Sequence, residues 1–408
     1  MKITHISTGI TGGGAGIATL RLHQHLMKEP GIQSELVQRF PIDPEFAIAN
    51  NIHTVGTGRS LIIRALKKYN LHAEHFHWVK LNKYPKNYEI ATFATTSYRL
   101  EQLPIIKDAD IIHLHWISEF LNYPTFFKNI TRPIVWTLHD INPFMGMFHF
   151  ESDRIKNIER YGKIDNQVRN IKIKAINKNK NIHIVCLSEW MKKKSEASAV
   201  FCNYPHYLIP NGLDFSNYPV IDKTYAKQKT GISTNLKTFI IVGAHLSNIQ
   251  KGFPMFFETI NKMERNDFQI ISVGQLPDSM KIRSGINHIH FDKITDISAL
   301  NRLYSAADLT VIPSKEDNLP NVMLESFANG TPVISFSNGG MAEHIKTGEN
   351  GILLSETGVE PLTQGLNDFL NNKYTFEEKA IRDYAVNTFS DTLQTQKYIQ
   401  LYKDILSR

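Results

Sequence analysis

Short apolar runs, separated by glycine, proline and polar clusters, recur along the whole chain. Ile3 to Ser7, Ser34 to Gln38, Ala109 to Trp116, Pro133 to Asp140 and Ile182 to Leu187 read as strands in the first half. Phe239 to His245, Phe268 to Val273, His288 to Phe291 and Ala307 to Pro313 read so in the second. Near-continuous apolar runs of this length suit parallel strands buried on both faces. Between them lie stretches with helical spacing, such as Ile17, Leu20, Leu26 and Met27, or Ile294 to Ala307. The rhythm of strand, loop and helix predicts an α/β chain of doubly wound, Rossmann-like units. It pauses at the tight Pro210-Asn211-Gly212 turn and restarts near Thr238. Two domains are therefore expected, residues 1–215 and 216–390, with a linker near Phe215 to Lys223.

A chain of 408 residues with 42% hydrophobic content can bury two sizeable cores. No run of eighteen apolar residues offers a membrane span. The opening MKITHISTGITGGG enters a strand pattern at once, which is not the layout of a secretory leader. Cys186 and Cys202 lack metal-ligand spacing and argue for a reducing interior. The net charge of +7 is unevenly spread. Arg154 to Lys180 holds nine Lys or Arg against Glu159 and Asp165. Arg64 to Lys86 holds six against Glu74, with Tyr69, Phe76 and Trp78 interleaved. Such stripes serve nucleic acid, anionic lipid or a phosphate-bearing substrate, or are simply solvated helix faces. No nucleic-acid-binding signature accompanies them, so no nucleic-acid partner is expected.

The chemistry gathers where strands end. After the first strand, Thr8 to Gly16 reads as a glycine loop that lets a ligand or a second domain approach the backbone. A dinucleotide reading is disfavoured, because Gly12, Gly14 and Gly16 alternate and the next strand ends in Arg39 and Phe40 without an acid. Asp108 and Asp110 form a DxD at the amino end of a strand, away from the ligand edge, and read as a surface turn. His113 and His115 share one strand face and are either core histidines or site residues. The stretch from Val311 to Glu343 is the densest. Asp317 and Glu325 bracket a helix entry opened by Asn318 and Pro320, so the positive end of the helix faces a loop suited to a diphosphate. Asn329-Gly330 ends that helix.

This stretch resembles the donor-binding motif of retaining GT-B-fold glycosyltransferases of family 4 (glycosyltransferase group 1), whose signature is two acids separated by seven residues. The form DNLPNVMLE is similar to the subgroup that builds capsular and exopolysaccharides, including colanic-acid-like polymers. The resemblance implies two Rossmann-like domains facing a central cleft, with a last helix, about 391–408, crossing back to the first. It implies that Glu325 holds the ribose hydroxyls of a nucleotide-sugar donor and that Asp317, with Glu316 beside it, contacts the donor sugar. Lys251 matches the lysine that clamps the diphosphate, and His245 stands where an arginine is usual. The Gly339-Gly340 turn matches a second phosphate site, and backbone near Lys293 and Ile294 covers the base. Gly13 and Gly14 match the glycine turn that faces the cleft, and His139 matches the histidine near the reacting sugar. Tyr207 to Asp214 carries the PNGxD that closes the first domain. The loop INPFMGMFHF lacks the cysteine cluster of relatives, so acceptor recognition differs.

The implied reaction moves a hexose from a nucleoside diphosphate, UDP first and GDP next, to a saccharide or lipid-linked saccharide hydroxyl, with retained configuration. Lys251, His245 and turn amides would take the leaving charge, so neither metal nor other cofactor is expected. The Arg154 to Lys180 stripe would touch an anionic membrane, placing the protein in the cytoplasm at the inner face of the plasma membrane. Two other readings stay open: a sugar-nucleotide epimerase of the same fold, and a non-catalytic protein that binds nucleotide sugar or polysaccharide.

Overall fold

The computed structural model describes residues 1–56 and 72–407. The chain divides into two compact units, Met1–Pro210 with Gln394–Arg408, and Asn211–Leu393. The division falls inside the Pro210-Asn211-Gly212 turn.

The first unit is built on seven parallel strands: β1 (Lys2–Ile6), β2 (Gln33–Gln38), β3 (Ile52–Thr54), β4 (Ile111–Leu114), β5 (Ile134–Leu138), β6 (Ile182–Cys186) and β7 (His206–Leu208), in the order β3-β2-β1-β4-β5-β6-β7. β1 has β2 on one side and β4 on the other, with Ile3 opposite both Ser34 and Ile111. The chain reverses its direction of winding there, and the crevice at the carboxyl ends of such neighbours is where doubly wound sheets bind ligands. One face buries Ile112, Leu114, Ile134, Trp136 and Leu138 beneath Phe126, Phe127 and Phe201. The other buries Ile3, Ile111, Val135 and Val185 beneath Leu22, Leu26, Tyr398 and Tyr402. The two tyrosines come from the last helix, Asp391–Leu406.

The second unit repeats the plan with β8 (Lys237–His245), β9 (Phe268–Gln275), β10 (Asn287–Phe291), β11 (Leu309–Ile312), β12 (Val333–Phe336) and β13 (Gly351–Leu354), in the parallel order β10-β9-β8-β11-β12-β13. Its reversal lies between β8 and β11. Phe239, Ile241, Val311 and Ile334 face Phe253, Phe256, Ile260, Leu362 and Leu366 on one side. Ile240 and Ile271 face Leu303, Tyr304 and Ala306 on the other.

Several local expectations are corrected. The first helix is Gly13–Leu26, so Gly13 and Gly14 are its first turn and not part of the loop before it. The helix after β11 is Asn321–Ala328 with Pro320 at its N-cap and no side-chain cap, so Asn318 does not open it. The helix before β11 starts at Ile297, capped by Asp296, and not at Ile294. Asp108 and Asp110 do lie in the turn before β4, where Asp110 Oδ2 also accepts the Lys2 amide at 2.7 Å. The basic stripe from Arg154 lies mostly on the helix Glu151–Ile176, and it is not all solvated. Lys172 is buried and Arg154 pairs with Asp165 at 3.1 Å. Part of the second stripe, from Arg64 to residue 71, lies outside the described residues. Among the described residues no helix is long and apolar enough to cross a membrane.

Candidate functional site

In the second unit the loops after β8, β11 and β12 are tied around Asp317. Its Oδ2 meets Lys251 Nζ at 2.5 Å and accepts from Ser314 Oγ at 3.4 Å, while Oδ1 accepts the Asn318 amide at 3.1 Å. The Lys251 amide is fixed by Asn248 Oδ1 at 2.9 Å, and the Lys315 amide donates to the Gln250 carbonyl at 2.9 Å. Gly340 donates its amide to the Asp317 carbonyl at 3.1 Å. Asn338 Nδ2 donates to the carbonyls of Ser314 and Lys315, at 3.1 and 2.9 Å. Gly339 must be glycine: its φ is +59°, and a Cβ would lie 1.7 Å from the Asp317 carbonyl oxygen.

The Gly340 amide thus ties the turn to the Asp317 loop, which a sequence reading of a phosphate turn does not foresee. Glu325 stands on the helix Asn321–Ala328, 8% exposed, and Tyr304 donates its hydroxyl to Oε2 at 3.3 Å. Asn318 is buried beside Asp317. His245 ends β8 after a register shift and meets Gln275 Oε1 through Nδ1 at 2.8 Å, exposed to solvent. Lys293 is exposed after β10, while Ile294 packs on the core that holds Tyr304. The structure therefore brings Lys251, Asp317, Asn318, Gly339 and Gly340 together by direct contact. Among the described residues no hydrogen bond or ion pair joins His245, Lys293 or Ile294 to the Lys251–Asp317 pair.

In the first unit, the reversal between β1 and β4 is lined by histidines. His139 follows β5, half-buried, with Nε2 3.3 Å from His115 Nδ1. Burial lowers it to about 4 against the pull of Asp140, so the imidazole is neutral at pH 7. Asp140 is held in place by three donors: Trp116 Nε1 at 2.9 Å, His149 Nδ1 at 2.6 Å and the Asn142 amide at 3.0 Å. Burial alone would raise its carboxyl, but His149 and the other donors outweigh that and hold it below the usual range.

Gly13 has φ +76° with open space where a Cβ would point, and Gly14 follows it in the same helical turn. The close approach in this region is made by Gly16, whose Cβ would lie 2.5 Å from the Gly9 carbonyl oxygen. His113 is a core residue: Nδ1 meets the Tyr402 hydroxyl at 2.7 Å and Nε2 meets Thr137 Oγ1 at 2.8 Å. Sequence reasoning missed Lys172, which donates to the Asn142 carbonyl at 2.5 Å, to Asn142 Oδ1 at 3.1 Å and to the Gly146 carbonyl at 2.7 Å. It clasps the loop of residues 141–150, and nothing in a run of lysines marks one of them as buried.

Residues 236–372 match the family Glycosyl transferases group 1. The chain is 25% identical over 296 residues to an uncharacterized glycosyltransferase of Methanocaldococcus jannaschii, covering 68% of this chain and 69% of that one. It is 26% identical over 218 residues to the UDP-Gal:alpha-D-GlcNAc-diphosphoundecaprenol alpha-1,3-galactosyltransferase of Escherichia coli, covering 49% of this chain and 54% of that one. Among solved structures, Anabaena HepE in complex with UDP superposes with a TM-score of 0.63 at 15% identity, over 99% of this chain and all of that one. The two parallel sheets, each winding outward from a reversal, are those of the GT-B architecture. Both units thus have the GT-B fold, and the second carries a glycosyl transferases group 1 domain over residues 236–372.

Proposed function

We propose that this enzyme is a retaining, metal-independent hexosyltransferase that uses a nucleoside-diphosphate sugar, UDP-linked first and GDP-linked next. The acceptor is a hydroxyl of a surface polysaccharide or a lipid-linked saccharide. The observation that carries this reading is the contact set Lys251–Asp317–Gly340 inside the group 1 domain. A lysine and an acid that satisfy each other without a donor form a cradle ready to open: the ammonium turns to the diphosphate and the carboxylate to sugar hydroxyls. Each such charge-assisted hydrogen bond is worth about 1.5–3 kcal/mol. Lys251 would stabilise the departing diphosphate without a divalent ion. Glu325 would hold the ribose, and His139 would line the reaction centre. HepE has been solved with UDP, and the Escherichia coli relative is named for a UDP-sugar donor and a diphosphoundecaprenol acceptor, which supports UDP and a lipid-linked acceptor here.

The outer face of the helix Glu151–Ile176 supports a membrane-side acceptor. Ile155 and Ile158 are exposed there, next to exposed Lys156, Arg160 and Lys163. Apolar side chains among basic ones suit the boundary of an anionic bilayer.

The deciding experiment titrates the protein with UDP, GDP and ADP by calorimetry in chelator. Tight, metal-free binding of one nucleotide is expected. Binding that requires a divalent ion would refute metal independence, and binding of none would turn the reading toward a non-catalytic carbohydrate-binding protein.

A further inference from the structure

His139 does not stand alone in its unit. Its Nε2 meets His115 Nδ1 at 3.3 Å, and His115 Nε2 meets His5 Nδ1 at 3.0 Å. The chain stops at His5 Nε2, which is buried and has no hydrogen-bond partner. His5, His113 and His115 also place ring nitrogens within 4.8 Å of one another, an arrangement that could invite a metal ion. Five of those six nitrogens are already in hydrogen bonds, two of them to the hydroxyls of Tyr402 and Thr137. A metal would have to break this set, so the hydrogen-bonded arrangement is the one the residues fit.

Each neutral imidazole has one N–H and one acceptor nitrogen, so a single choice of proton fixes the whole row. The free end decides it. A buried N–H without an acceptor costs more than a buried lone pair without a donor, as the rarity of orphaned N–H groups shows. His5 therefore carries its proton on Nδ1 and donates to His115 Nε2. His115 then carries its proton on Nδ1 and donates to His139 Nε2. His139 is left with its proton on Nδ1, and among the described residues that nitrogen has no hydrogen-bond partner.

We propose that His5 and His115 are positioning residues whose one-way hydrogen-bond chain fixes His139 as the Nδ1–H tautomer. The imidazole then meets its ligand as a hydrogen-bond donor and not as a base. This rests on the reading of His139 as a residue of the reaction centre. A donor at this point binds a sugar hydroxyl or a developing oxyanion; it does not take the acceptor's proton.

The test labels the histidines of the full-length protein with 15N and identifies His139 by the signal lost in His139→Gln. The expected spectrum shows a protonated Nδ1 and an unprotonated Nε2 for His139, in the protein without substrate. Two substitutions of His115 then separate positioning from packing. The Asn amide falls where Nδ1 was and can still donate to His139, whereas the Gln amide falls where Nε2 was and reaches toward His5. His115→Gln should scramble the His139 tautomer and lower kcat about tenfold with donor KM changed less than about twofold, and His115→Asn should restore most of both. A wild-type His139 protonated on Nε2, or equal loss in the Asn and Gln variants, would overturn the proposal. Because the spectrum is read without turnover, failure of the transferase reading is told apart from failure of the tautomer assignment.

Discussion

At the scale of single residues, what matters is how few options each buried group has. Glu325 is nearly enclosed, so a ribose that meets it replaces water poorly and the bond is strong for its size. Glu325→Ala should weaken nucleoside-diphosphate binding by about 1.5–3 kcal/mol, roughly ten- to hundredfold. Unchanged affinity in calorimetry would remove Glu325 from the ribose site. The histidines add a pH dependence whose sign is fixed. Burial lowers His5, His113 and His115 well below 6.5, neighbouring imidazoles adding to the effect, and it lowers His139 to about 4. Between pH 6.5 and about 4 the unfolded chain binds protons that the folded chain refuses, so stability falls as pH falls through that window. The loss deepens as pH falls through this window, because each buried imidazole stays neutral in the fold while the unfolded chain takes up its proton. The melting temperature of the intact protein should therefore drop between pH 7 and 5, and a flat profile would mean that these rings are charged or exposed.

At the scale of elements, strands were legible because burial on both faces leaves unbroken apolar runs such as Ile134 to Leu138. Turn residues were half legible. Gly339 and Gly340 stand out in the sequence, but only the structure shows that Gly339 fits against the Asp317 carbonyl and that Gly340 bonds to it. Helix starts were the weakest, since Asn318 is a good capping residue type yet the helix begins beyond Pro320. Lys172 escaped because charge counts say nothing about which side of a helix faces the core. The tie between the two loops makes a specific forecast. Gly339→Ala must either adopt a left-handed backbone or push Asp317 away, at about 1–3 kcal/mol. Nucleotide affinity and thermal stability should fall together, and a variant that keeps both would show that the contact is slack.

At the scale of the whole molecule, the two-unit plan was legible from the rhythm of strand and helix that stops at Pro210 and resumes near Thr238. The pairing of His113 with Tyr402 was not, since no local pattern joins residues so far apart in sequence. Reversing the charge of Lys156, Arg160 and Lys163 together should abolish sedimentation with anionic vesicles while leaving soluble nucleotide binding unchanged. Equal sedimentation of the variant would place the membrane contact elsewhere or nowhere. The last helix carries a further consequence. Tyr398 and Tyr402 close one face of the first sheet, and Tyr398 meets Thr137 at 2.7 Å. A chain ending after Ser390 should therefore expose that face and aggregate, with the second unit still folded by hydrogen exchange. During synthesis the ribosome delivers this lid only after the whole of the second unit, Asn211–Leu393. The first unit is thus begun before its successor and completed after it, and it waits with one flank open while that successor folds.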